Sequence, residues 1–364
     1  MKAFRRFVFL GIFSLFLFGC TGPPIPQEVK QAEILEHDLW GIGGPLYAPQ
    51  EYQRYKSALR KAKDDLIREN SKFSLFRDYG YVQAELRELL KEGKRLRIAI
   101  QEQKSLRASD VERQIATCQA RIENLTQLAS MINEGYLART NLTKAELAVT
   151  EAEALYKKGE FDSAQERLKS LNGYLGDAQR TLAPILTRYT DQIQIAKWRR
   201  WVEETVSQSR HRRNIAIVVS KIDRRLILYR NGNLVKTYPI AIGRHGSSLK
   251  LRAGDRATPE GKYSIIKKLP NSKYYKALLI NYPNEEDKKK FISAKGRGKI
   301  PRSVGIGGLV EIHGGGKDGM TYGCIALDNN HMGEIFDMVD VGTHVTIVGS
   351  TDYKNNISSA LNGL

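Results

Sequence analysis

Hydrophobic positions recur every three or four residues over most of the first 210 positions. Val82, Leu86, Leu89, Gly93, Leu96 and Ile100 are spaced 4, 3, 4, 3 and 4, and Val111, Ile115, Cys118, Ile122, Leu125, Ala129 and Ile132 repeat the pattern. A third series runs Leu142, Ala145, Val149, Ala152, Tyr156. Each series puts one apolar stripe on an α-helix, and such stripes must bury against one another. Ser109 with Glu112, and Thr143 with Glu146, have the spacing of capping boxes and predict helix starts. Short connections predict antiparallel neighbours, so residues 50–210 read as a helical bundle with coiled-coil seams. Cys118 falls on a seam, the place of a small buried hydrophobe without chemistry. Tyr156 to Ala164 resembles one tetratricopeptide hairpin, but no companion follows at a period of about 34 residues, so no repeat array is predicted.

The period changes near Asn214. Ile215–Val219 and Arg225–Tyr229 read as strands, and Asn231-Gly232 between apolar runs is a hairpin signal because both positions favour positive φ. Further strand-like runs lie at Tyr263–Ile266, Ala277–Tyr282, Leu309–Ile312 and His344–Val348, with one helix at Asn330–Val339. Residues 211–350 therefore read as a mostly-β domain with long Gly-rich loops. Residues 351–364 carry no pattern and read as a loose tail.

The first residues read as an address. Lys2, Arg5 and Arg6 precede Phe7–Phe18, an apolar run too short to span a bilayer, which needs about 20 residues, but of signal-peptide length. The run ends Leu17-Phe18-Gly19-Cys20 and resembles a bacterial lipoprotein signal. That resemblance implies removal of residues 1–19, a lipidated Cys20 as the membrane anchor and, with Thr21 rather than Asp next, the periplasmic face of the outer membrane. Pro23, Pro24 and Pro26, then Gly41, Gly43, Gly44 and Pro45, make residues 20–49 a tether.

Composition excludes more than it selects. With 41% hydrophobic and 27% charged residues, the chain is neither disordered nor a multi-span membrane protein. Three cysteines exclude a disulfide scaffold and a Cys-only metal cage. Gly305-Ile306-Gly307-Gly308 lacks the helix and acidic residue of a dinucleotide site, and His313-Gly314-Gly315-Gly316 lacks the Gly-x-Ser-x-Gly elbow that would make it an esterase motif. His313, Cys324 and His331 lack a fourth metal ligand, so neither metal nor cofactor is assigned. What remains is Cys324 in the turn Thr321-Tyr322-Gly323-Cys324, eleven residues after His313 at a strand end. An imidazole can take a thiol's proton, and a neighbouring glycine lets backbone N–H groups face an oxyanion. These residues alone are equally compatible with a structural cysteine in a Gly-rich turn.

Ordered motifs from Asn214 to Gly349 decide between the two. Asn231-Gly232, Gly254-Asp255 with Thr258-Pro259-Glu260-Gly261-Lys262-Tyr263, Asn281-Tyr282-Pro283-Asn284, Ile312-His313-Gly314, Thr321-x-Gly323-Cys324-Ile325-Ala326-Leu327 and Gly342-Thr343 together resemble the L,D-transpeptidase (YkuD-type) catalytic domain. The resemblance implies an α+β chain: an antiparallel helical bundle followed by a mostly-β, β-sandwich-like domain. It implies cysteine acyl transfer on peptidoglycan stem peptides, with Cys324 as nucleophile, His313 as general base, the Gly314 carbonyl orienting the imidazole, and the Tyr322, Gly323 and Cys324 amides as oxyanion hole. Three departures mark a divergent branch. Tyr322 replaces a histidine, Ala326 replaces an arginine, and the His313–Cys324 loop is short. Members of that branch include an amidase that frees a lipoprotein from peptidoglycan, so hydrolysis competes with transfer. A second reading, from a different class, is a decayed wall-binding scaffold whose bundle recruits a protein partner.

Charge adds a partner class. The chain carries a net charge of +18, of which residues 211–364 supply +12 from 25 Lys/Arg against 13 Asp/Glu. An exported protein meets anionic stem peptides, wall polymers and lipid headgroups rather than nucleic acid. Lys288-Lys289-Lys290 reads as a solvated loop, and His211, His245, His331 and His344 as structural or surface residues, His245 lying in a loop able to approach the site.

Overall fold

The computed structural model describes residues 23–316 and 319–362, so the signal peptide and Cys20 lie outside the described residues. The chain divides into two compact units, Met1–Glu112 and Arg113–Leu364.

The first unit holds α1 (Glu28–Gly41), α2 (Gly44–Tyr47), α3 (Pro49–Asn70) and the beginning of α4 (Gly80–Met131). Residues 28–47, expected within an extended tether, are therefore helical. The prolines fall before α1 and the glycines at its end, while Ala32, Leu35 and Leu39 form a stripe buried with Tyr52, Tyr55 and Leu59 of α3. Val82, Leu86, Leu89, Leu96 and Ile100 of α4 complete this core. Gly93 belongs in that stripe for a reason: a Cβ there would lie 2.6 Å from both Leu35 Cδ2 and the Tyr55 ring. Ser109 starts no helix. No Gly or Pro interrupts Lys94–Met131, so nothing ends helical hydrogen bonding there and the first two apolar series share α4. Among the described residues no helix is long and apolar enough to cross a membrane.

In the second unit, α5 (Arg139–Lys157) and α6 (Phe161–Leu186) form an antiparallel hairpin, with Arg167 paired to Glu151 and Tyr156 against Phe161. Thr143 sits inside α5, so its capping-box spacing also marks no boundary. α7 (Gln192–Arg212) begins at Asp191, whose carboxylate accepts from the Ile193 and Gln194 N–H groups.

The strands are β1 (Ile215–Ser220), β2 (Arg225–Arg230), β3 (Asn233–Pro239), β4 (Gly261–Ser272), β5 (Tyr275–Ile280), β6 (Glu311–His313), β7 (Ile325–Ala326) and β8 (His344–Val348). They form one curled sheet in the order β3-β2-β1-β8-β4-β5-β6-β7, which with the preceding helices makes the chain α+β. Asn231 and Gly232 turn the β2–β3 hairpin with φ of 53° and 77°. β4 makes the curl: Gly261–Ser264 pair with β8, whereas Ile265 onward pairs with β5 through two register shifts. The two layers expected of a sandwich are thus halves of one sheet sharing a core that includes Ile217, Leu228, Ile265, Leu278, Ile312, Ile325 and Val345. α9 (Asn329–Met338) adds Met332 and Ile335 to it. α7 packs on the sheet, with Trp198 so close over Gly349 that a Cβ would lie 2.2 Å from its ring.

Two expectations fail here. Lys288–Lys290 are not loop but the first half of α8 (Glu285–Gly296), which starts at a capping box. The Asn284 side chain accepts from Asp287 N–H at 3.0 Å, and Asp287 accepts from Asn284 N–H at 3.2 Å. The tail is not loose either. Asn355 donates to the Tyr189 carbonyl at 2.8 Å and α10 (Asn356–Asn362) buries Ile357.

Candidate active site

Cys324 ends a turn sewn to its neighbours on both sides. Thr321 N–H donates to the Ile242 carbonyl at 3.2 Å, and Arg244 N–H donates to the Thr321 carbonyl at 2.9 Å. Beyond the cysteine, Ala241 and Ala326 exchange two hydrogen bonds of 2.9 Å. The Thr321 hydroxyl closes the turn, donating to the Cys324 carbonyl at 2.7 Å and accepting from Gly323 N–H at 3.1 Å. Gly323 has φ of +129°, and a Cβ on it would lie 2.8 Å from the Ala257 carbonyl oxygen. Only glycine fits on both counts.

His313 ends β6, which runs parallel to β7 with His313 opposite Ala326. This register brings the histidine strand end alongside the cysteine turn. His313 Nδ1–H donates to the Gly314 carbonyl at 2.6 Å, leaving the Nε2 lone pair as the basic atom. Tyr274 stacks on the imidazole at 4.4 Å and 23°. Gly314 is as crowded as Gly323: a Cβ there would lie 2.7 Å from both Asn329 Oδ1 and the Tyr274 carbonyl oxygen.

Burial disfavours the charged form of both His313 and Cys324. Burial lowers the His313 pKa, against the opposing pull of the Gly314 carbonyl and Glu311. Burial raises the Cys324 thiol, with the Glu311 backbone N–H and the Lys250 and Lys273 ammonium groups opposing. Among the described residues the thiol makes no hydrogen bond to the imidazole; Sγ points to the Leu309 carbonyl at 3.8 Å. Burial and the missing thiol–imidazole bond both favour the neutral pair over a thiolate–imidazolium pair.

The three amides assigned to an oxyanion hole are not equivalent. Gly323 N–H is already bonded to Thr321, whereas Tyr322 and Cys324 N–H have no acceptor among the described residues. Two free donors remain, and Gly323 contributes conformation in place of a hydrogen bond. The Tyr322 side chain is 79% exposed, with the Arg256 guanidinium 5.3 Å from its ring. Ala326 is only 3% exposed.

Sequence reasoning missed Lys250. Its ammonium is buried, donates to Asp255 Oδ1 at 2.8 Å, and lies 3.8 Å from where a Gly323 Cβ would be. Asp255 also accepts from Leu251, Arg252 and Ala257 N–H, so one carboxylate shapes the whole 250–257 loop and aims the lysine. The five-residue Lys–Asp spacing in a Gly-containing loop was the available signal. His245 is a strut, bonded to the Asp255 carbonyl at 2.8 Å and to the Tyr136 hydroxyl at 2.7 Å. Cys118 is buried, and burial raises its thiol pKa. Among the described residues no three His, Cys, Asp or Glu side chains converge as metal ligands.

Residues 214–347 match the family model of the L,D-transpeptidase catalytic domain, YkuD. A curated Escherichia coli K12 protein, YafK, provisionally named an L,D-transpeptidase, is 32% identical over 131 residues, covering 34% of this chain and 47% of YafK. The chain thus spans about half the length of that relative. L,D-transpeptidase 1 of Mycobacterium tuberculosis is 19% identical over 37% of this chain and 61% of its own, with a TM-score of 0.24. The Stackebrandtia nassauensis L,D-transpeptidase is 14% identical over 41% and 67%, with a TM-score of 0.25.

Proposed function

We propose that the chain is a peptidoglycan-modifying enzyme that cleaves stem peptides through a Cys324 thioester, tethered to the outer membrane by a lipid on Cys20. The observation that supports this most is the β6–β7 register, which sets His313 beside the Cys324 turn inside the segment matching the L,D-transpeptidase family. His313 Nε2 accepts the thiol proton as Sγ attacks the carbonyl of an L-centre. The Tyr322 and Cys324 N–H groups donate to the oxyanion that forms. Collapse of the intermediate breaks the bond to the adjoining D-residue, whose nitrogen takes the proton from the imidazolium. An acceptor amine or water then attacks the thioester, with His313 again removing a proton. Concerted proton transfer during attack suits a pair whose burial disfavours both charged forms.

The deviations at Tyr322 and Ala326 favour water in the second half. A second stem must be positioned against the thioester in competition with solvent at about 55 M, and neither residue offers a fixed cation for its carboxylates. The purified chain, incubated with disaccharide-tetrapeptides and read by mass, is expected to give hydrolysis products at least equal to cross-links. Mostly 3→3 dimers, or near-complete exchange with added D-amino acid, would restore plain transpeptidation. Activity surviving in Cys324→Ala would remove the thioester mechanism.

A further inference from the structure

Between α3 and α4 the chain turns through residues 71–79, with a 3-10 turn at Ser74–Phe76. Phe73 and Leu75 are each 68% exposed and Phe76 is 76% exposed. Ile67, in the last turns of α3, and Tyr81, in the first turn of α4, are two-thirds exposed as well. None of the five belongs to the core of this unit. Five large apolar side chains in fifteen residues form a patch that water alone does not explain.

The charges around it nearly balance, Arg68, Lys72 and Arg77 against Asp64, Asp65, Glu69 and Asp78. Arg68 pairs with Asp65 at 3.2 Å, Lys72 pairs with Glu69 at 2.5 Å, and Arg77 Nε donates to the Lys72 carbonyl at 2.9 Å. The tip is therefore apolar, and its collar, at a net charge of −1, offers no excess of cations to anionic headgroups.

The start of α1 lies at the same end. Glu28 accepts from Gln83 Nε2 at 2.8 Å and from Arg87 Nε at 3.1 Å, both in the first turns of α4. Lys63 of α3 pairs with Glu33 at 2.5 Å, so α1 begins level with the end of α3. Chain upstream of Glu28 leaves the unit beside the 71–79 turn, beginning with the exposed Ile25. Cys20 is eight residues from Glu28, a reach of at most ~26 Å.

We propose that the 71–79 turn inserts into the bilayer that anchors the N-terminus, which gives this unit a second point of attachment. The inference rests on the lipid-anchor reading for its occupant: a membrane held at Cys20 is the surface that the turn meets first. Phenylalanine and leucine side chains gain by leaving water for the acyl-chain boundary, and a collar with no excess of cations makes the attachment hydrophobic and nearly insensitive to salt.

The test uses the full chain with phosphatidylcholine–phosphatidylglycerol vesicles carrying brominated acyl chains, and reads tryptophan emission as the difference from wild type. Phe76→Trp is expected to give blue-shifted emission that brominated lipid quenches, equally at low and high salt. Leu106→Trp, exposed on α4 far along the helix from the turn, is expected to stay unquenched. Absence of quenching in Phe76→Trp overturns the proposal whether or not the protein floats with the vesicles, and flotation without quenching leaves the anchor standing alone. Quenching that persists while Cys20→Ser floats as wild type supports the turn and sinks the lipid anchor.

Discussion

The Asn133 carboxamide donates to the Gly243 carbonyl at 2.6 Å, joining a turn after α4 to the segment that bonds the Cys324 turn. The neighbourhood repeats the contact: Asn133 N–H donates to Ser247 Oγ at 3.2 Å, and Ser248 N–H to Glu134 Oε1 at 2.8 Å. Gly243 lies between Ile242 and Arg244, which bond the Thr321 backbone, and the Thr321 hydroxyl closes the cysteine turn, so the Asn133 contact lies one segment away from Cys324. Asn133→Ala removes one of two hydrogen bonds to the Gly243 carbonyl, which keeps that from Gly246 N–H at 2.7 Å, and should cost about 0.5–1.5 kcal/mol of stability. Turnover should fall by more than the folded fraction does, because the turn geometry loosens. Denaturant unfolding and steady-state rates on the same preparation check both; unchanged turnover would separate this contact from the site.

Burial of His313 and Cys324 predicts a pH signature. Burial lowers the imidazole pKa, so His313 stays competent as a base down through its ordinary range near 6.5, and kcat/KM should fall only below it. Burial raises the thiol pKa, so alkylation of Cys324 by iodoacetamide should keep rising through pH 9. A stable ion pair would instead give an alkylation plateau extending to acid pH. One rate profile and one labelling profile distinguish the two states.

Lys250 should matter through charge. Its ammonium opposes the burial that raises the Cys324 thiol, so Lys250→Met should move the alkylation profile to higher pH and slow acylation. Lys250→Arg should keep the charge and most of the profile. A profile unmoved by Lys250→Met, in a variant that unfolds like wild type, would leave the lysine with a purely structural role beside Asp255.

Much of this arrangement was legible in the sequence, and the parts that were not share a cause. The Asn231-Gly232 hairpin and the α9 position follow from local patterning, which the tertiary structure leaves alone. Ser109 and Thr143 misled because capping spacing without a preceding breaker does not end a helix. The Lys288–Lys290 helix was hidden behind its charges, although Asn284 and Asp287 carried its start signal. Asn133 was invisible for a different reason: its importance lies in a contact to Gly243, and no spacing rule links residues 110 positions apart.

Glu260 ties the Thr258-Pro259-Glu260-Gly261 string to the helices. Its carboxylate accepts from Lys221 Nζ at 2.7 Å and from Arg188 Nη2 at 2.7 Å, all within a buried cluster. Burial alone would raise its pKa, but the two cations prevail and hold it below the ordinary value. A depressed carboxylate contributes stability above its unfolded pKa, near 4.3, and loses it as pH falls through the folded value. Glu260→Gln should therefore cost about 3–5 kcal/mol at pH 7, where it strands a buried lysine, and progressively less in acid. Urea midpoints at neutral and acid pH test this; an equal deficit at both would remove the ionic account.

The two departures around the nucleophile should respond to reversal in opposite ways. Tyr322 projects into solvent, so Tyr322→His restores the commoner residue at little structural risk, and stability should change by no more than about 0.5 kcal/mol. Ala326 cannot be reversed. It is 3% exposed, its backbone is bonded twice to Ala241, and β7 sits between that segment and β6. An arginine there must either bury an unpaired guanidinium or pull β7 from its neighbours, and either outcome should cost more than about 3 kcal/mol. Lys250, held by Asp255, already places a buried ammonium close to Gly323. Soluble yield and urea unfolding of Tyr322→His and Ala326→Arg decide the point. A well-folded Ala326→Arg protein with wild-type stability would show that the alanine is an accident of sequence rather than a requirement of packing.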